Sequence, residues 1–157
     1  MAEIDSLIVG SEKLVGIFGY WPSFHDAEIL ELHFARGDVR PDDAVYDFPS
    51  LTLKIHVFEM TKEVDSRGYF ILRHHMLTTL EFRDVDAFEM QGFNHQNAMM
   101  ELIIRREERE QRPSPNFAVQ IDPAFGMGAS FTCLSVEVVY AILCTPLGVP
   151  IAATPSS

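Results

Sequence analysis

The chain has 157 residues, of which 47% are hydrophobic and 11% aromatic, enough to build one core without staples and to exclude disorder over most of its length. Twelve bases against 23 acids leave a net charge of −11. That field repels phosphate backbones and anionic lipid surfaces, which excludes nucleic-acid binding through a basic footprint and argues against membrane association, while it would steer a cationic partner in.

Ser11, as an N-cap, followed by Glu12–Phe18 predicts a short helix with Leu14, Val15 and Phe18 on one face, ended by Gly19. From Ala27 to Phe34 the chain alternates as a strand, with Leu30, Leu32 and Phe34 on one side and Ile29, Glu31 and His33 on the other. Gly37, Pro41, Asp42, Asp43 and Pro49 punctuate a loop over 36–50. Leu51, Leu53, Ile55 and Val57 mark a second strand, and residues 63–68 a turn. Third and fourth strands are expected at 69–75 and 77–83, and a weaker one at 85–92. The segment from Asn94 to Ile104 reads as strand or helix, and the mixed-charge run 105–112 as an exposed hairpin end. Residues 117–121 and 129–143 supply the last strands, around a turn with Pro123, Gly126 and Gly128.

Many short strands, turns between them and one early helix predict a mainly β protein (α+β by a strict count), an antiparallel sandwich or partly closed barrel with a short N-terminal helix. One domain is expected over 1–144, followed by a flexible C-terminal tail over 145–157 that is small, neutral and Pro-containing. Cys133 and Cys144 are too few for a disulfide framework. The N-terminus carries acids where a signal peptide needs bases, and no apolar run approaches the ~20 residues of a membrane span, so a cytoplasmic location is expected.

The densest segment runs from Phe18 to Glu28 and holds the only Trp, with His25, Asp26 and Glu28 inside four residues. Extending the strand phase backward places Asp26 and Glu28 on the core side and His25 opposite. Such acids must reach solvent or be hydrogen-bonded. Three roles are open: Asp26 or Glu28 accepts backbone N–H bonds that tie the aromatic loop down; Trp21 and Phe24 anchor a partner beside the acids; or His25, Asp26 and Glu28 serve a metal-assisted hydrolase. No cofactor or metal is expected. The chain has no Gly-rich phosphate loop, and neighbours such as His74 and His75 point to opposite faces of a strand. The amide-rich stretch from Gly92 to Asn97 reads as an Asx-type turn.

The octapeptide Trp21-Pro-Ser-Phe-His-Asp-Ala-Glu28, preceded by a short helix and followed by an alternating strand, resembles the opening of the bacterial immunity protein 50 family. The stretches from Leu80 to Val85 and from Gly92 to Asn97 resemble that family's second recognisable segment. The resemblance implies a non-enzymatic protein that binds and neutralises a polymorphic toxin domain, with Trp21, Phe24, His25, Asp26 and Glu28 as a shared signature. A motif shared by members facing different toxins serves the fold first and the interface second. Residues 1–50 hold ten acids and three bases, net −7. Asp38, Asp42, Asp43 and Asp47 therefore form a candidate acidic interface for a toxin with a basic cleft. A small-ligand-binding β-barrel is the alternative.

Overall fold

In chain order the elements are a 3-10 turn (Ile4–Leu7), helix α1 (Glu12–Phe18) and strands β1 (Glu28–Ala35), β2 (Val39–Arg40), β3 (Val45–Tyr46), β4 (Ser50–Val64), β5 (Phe70–Arg83), β6 (Asp86–Gln91), β7 (Met99–Arg106), β8 (Phe117–Pro123), β9 (Gly128–Cys133) and β10 (Ser135–Leu143). They come from a computed structural model that describes residues 4–37, 39–40, 45–46, 48–107 and 116–151. Two antiparallel four-stranded sheets, ordered β1-β4-β5-β10 and β6-β9-β8-β7, face each other, and within the stretch expected as a loop β2 and β3 pair antiparallel as a separate two-stranded sheet. The arrangement is sandwich-like and does not close into a barrel.

The alternation of Leu51, Leu53, Ile55 and Val57 makes β4 the spine of the first sheet, and all four are fully buried. Opposite them, Leu80 and Phe82 of β5 turn inward to meet Val119, Ile121 and Phe131 of the second sheet in one continuous core. Aromatic edges join the layers: Phe82 packs T-shaped on Phe131 at 5.0 Å between ring centroids, and Phe34 of β1 stacks on Phe88 of β6 at 4.5 Å. Helix α1 buries Leu14 and Phe18. Gly19, at φ 83°, takes the left-handed conformation and donates its N–H to the Val15 carbonyl, which stops the helix. Ser11 makes no side-chain cap, contrary to expectation.

Tertiary pairing defines four stretches more closely than the local pattern does. The strands expected at 69–75 and 77–83 are one strand, β5, with His74 at φ 56° in a bulge. The apolar run 129–143 is two strands, divided at Leu134, whose N–H bonds the Arg83 carbonyl. The ambiguous stretch before Ile104 continues as strand β7, because its backbone pairs with β8. The segment read as a tail begins as a closed turn: Thr145 N–H bonds Val149 O at 2.8 Å and Ile151 N–H bonds Leu143 O at 3.0 Å. Residues 108–115, which include most of the charged run, and residues 152–157 lie outside the described residues.

Candidate functional site

The Trp21–Glu28 segment does not continue the strand backward. Leu30 is the extra residue of a bulge, so that Ile29 faces Ile55 and Leu32 faces Leu53, both toward the core. This inverts the phase upstream of the bulge. Ala27 and Ile29 are buried, while Glu28 pairs with His56. Phe24 and Asp26 take positive φ, 63° and 65°, coiling the chain between helix and strand. Asp tolerates that conformation; Phe does not, and it is held by burial of its ring beside Trp21, 5.6 Å away.

Hydrogen bonds fasten this coil to the start of β7. Asp26 N–H donates to Met99 O at 2.8 Å, Met99 N–H to Ala27 O at 2.9 Å, and Ile29 N–H to Asn97 O at 3.0 Å. His25 Nδ1 donates to the Met100 carbonyl, which can only accept, at 2.9 Å, and Nε2 lies 3.5 Å from the Asp26 carboxylate. Glu28 accepts the Asn97 backbone N–H at 3.2 Å. Of the two acids that could tie the loop down, Glu28 does so. Asp26 keeps an exposed carboxylate beside His25.

The amide-rich stretch is an Asx-type turn, with Gln96 N–H donating to the Asn94 side chain at 2.8 Å, but its last residue does more. Asn97 is buried, and its Nδ2 donates to the Ile29 carbonyl at 3.3 Å and the Asn94 carbonyl at 2.7 Å. Its Oδ1 accepts from Asn94 N–H at 2.9 Å and Met127 N–H at 3.2 Å. All four valences of one amide are thus used to join three segments. Gly126, which in the sequence marks only a turn, lies so close that a Cβ would sit 2.2 Å from Gln96 O. The structure therefore brings the two family-like segments together, with the 126–127 turn closing over them.

A second cluster escaped the sequence reading. His56 Nε2 and His75 Nδ1 lie 3.0 Å apart, with Phe58 against both rings. The turn after β10 covers them, so that a Cβ on Gly148 would meet His56 Nδ1 at 3.4 Å. Burial lowers both imidazoles from their ordinary value; at His56 the neighbouring His75 lowers it further and Glu28 opposes. His74 points elsewhere, toward Phe18 and Glu59. No spacing signal could reveal the pair, since it depends on the β4–β5 register and the bulge at His74.

Asp38, Asp42, Asp43 and Asp47 lie outside the described residues. Among the described residues, no three His, Cys, Asp or Glu side chains converge in a way that could hold a metal ion. The outer face of the second sheet carries an open groove of about 470 Å³ lined in part by Glu89, Gln120, Asp122 and Ser130. It lies on the face of an open sheet, so the alternative of a ligand in a barrel mouth has no barrel to sit in.

No curated protein and no solved structure matches this chain. The model of the family described as Immunity protein 50 matches residues 10–141, a span that takes in α1, the Trp21–Glu28 coil, the Asn97 junction and both sheets. The chain belongs to the Immunity protein 50 family.

Proposed function

We propose that this protein binds and neutralises a bacterial toxin domain, acting in the cytoplasm and without catalysing a reaction itself. Family membership supports the binding role. What supports a structural role for the signature is that its backbone and Glu28 are tied into the fold: Asp26 N–H and Ile29 N–H bond the Met99 and Asn97 carbonyls, and Glu28 accepts the Asn97 backbone N–H. The signature then works as the clamp that fixes β1 to β7, and the toxin is met elsewhere.

The charge distribution favours a partner with a basic surface. With −7 of the net −11 in residues 1–50, the acids Asp38, Asp42, Asp43 and Asp47 fit a toxin with a basic cleft such as a nuclease's. The test takes any toxin domain found encoded next to this gene and measures binding by calorimetry and by association rate. Tight binding whose on-rate slows several-fold from low to physiological salt, and slows again on charge reversal at Asp42 and Asp43, is the expected result. No binding would overturn the proposal. Binding indifferent to salt and to both reversals would overturn the acidic interface and leave the half-buried Trp21, beside the buried Phe24, as the contact.

A further inference from the structure

Strand β1 leaves β4 at the Glu28–His56 pair, and β10 leaves β5 at the Leu143–Met76 pair. Past these points β4 and β5 run on alone as a two-stranded ribbon, through the pairs Glu59–Arg73, Met60–Leu72 and Val64–Phe70, to a turn at residues 65–68. A two-stranded ribbon standing alone in water is marginal. This one also exposes apolar side chains on both faces: Met60, Val64, Phe70 and Leu72 by their cross-strand pairing on one, Tyr69 and Ile71 on the other.

The two edges of the ribbon differ. The β4 edge is broken by a register shift between Met60 and Val64 and carries Lys62 within it, two devices that blunt an edge against pairing. The β5 edge reads Tyr69-Phe-Ile-Leu72 without a charge, and among the described residues no strand pairs with it on that side before Met76. Such an edge is a template for another strand.

Charge selects the occupant. Over residues 58–73, Glu59, Glu63 and Asp65 cancel Lys62, Arg67 and Arg73, so the ribbon is neutral in a chain of net −11. Two acidic copies repel each other wherever their charged surfaces meet, and a neutral ribbon lets them approach without that cost, whereas a basic partner gains little there.

We propose that the β5 edge at Phe70–Arg73 is a homodimer interface, pairing antiparallel with the same segment of a second copy about a twofold axis. The two ribbons then merge into one four-stranded sheet. Antiparallel pairing of a strand with itself is self-complementary, as a closed twofold contact requires. The interface lies at the far end of β4 from Ser50, so it stands apart from the toxin reading.

Sedimentation velocity on the full chain across the micromolar range tests it. The wild type should reach twice the monomer mass. A Phe70→Lys/Leu72→Lys double variant should stay monomeric with unchanged circular dichroism, because both side chains are outside the core. A wild type that remains monomeric at the highest concentration overturns the proposal, as does a folded double variant that still dimerises. Should the variant misfold, hydrogen exchange on the wild type decides. Amides of 70–73 should exchange several-fold more slowly as concentration rises, and rates independent of concentration would overturn the interface.

Discussion

His56 Nε2 and His75 Nδ1 face each other at 3.0 Å across neighbouring strands, under the turn that carries Gly148. Both imidazoles sit below their ordinary 6.5, by burial first and at His56 also by the neighbouring ring. Well above 6.5 both rings are neutral, folded or unfolded, and the pair contributes its full stability. As pH falls through 6.5 the unfolded chain takes up protons that the folded pair resists, so stability is lost toward acid. Urea midpoints should therefore drop from about pH 7.5 to about pH 5.5, and the drop should shrink in His75→Gln. A slope that the substitution leaves unchanged would assign the pH dependence to other groups.

Asn97 fills four hydrogen-bonding valences inside the protein. Asn97→Ala strands buried donors and acceptors on three segments and should cost roughly 1–3 kcal/mol or more in chemical denaturation. A cost near zero would mean that water replaces the amide.

Gly126 combines φ +75° with a close approach to Gln96 O and to the Asn97 amide. A methyl group there meets the Gln96 carbonyl and the Asn97 side-chain oxygen, which four hydrogen bonds on that amide keep from swinging aside. Gly126→Ala should destabilise by at least roughly 1–3 kcal/mol, read from thermal or urea unfolding. Gly16, with nothing near its missing side chain, is the control: Gly16→Ala in α1 should be neutral or stabilising by up to about 1 kcal/mol.

Asp26 keeps its short side chain at φ 65°, and its carboxylate faces the exposed His25 ring. Asp26→Asn suits the same backbone and should change stability by less than about 1 kcal/mol. With the fold intact, protection against the toxin then reports directly on whether that carboxylate touches it. A loss of protection would move the interface onto the signature, whereas unchanged protection leaves the signature as the clamp.

The four apolar residues of β4 and the Gly19 stop were legible because each rests on a local rule: period-two burial in one case, left-handed backbone freedom in the other. The Trp21–Glu28 segment was legible as a dense aromatic and acidic cluster, but the direction of its acids was not. A single extra residue at Leu30 reversed the phase, and a bulge leaves no mark in an alternation that reads well in either register.

Composition, charge and periodicity by themselves determined a β-rich chain, the short helix and the acidic N-terminal third, since these depend on residue type and on neighbours a few positions away. Only the tertiary structure decided that Glu28, and not Asp26, accepts a backbone N–H, and that Asn97 and Gly126 close one junction. It also decided that His56 meets His75 and that β4 and β5 outrun their neighbours. Each of these rests on pairing between residues far apart in the chain, where register sets the partner, and register is a property of two strands together.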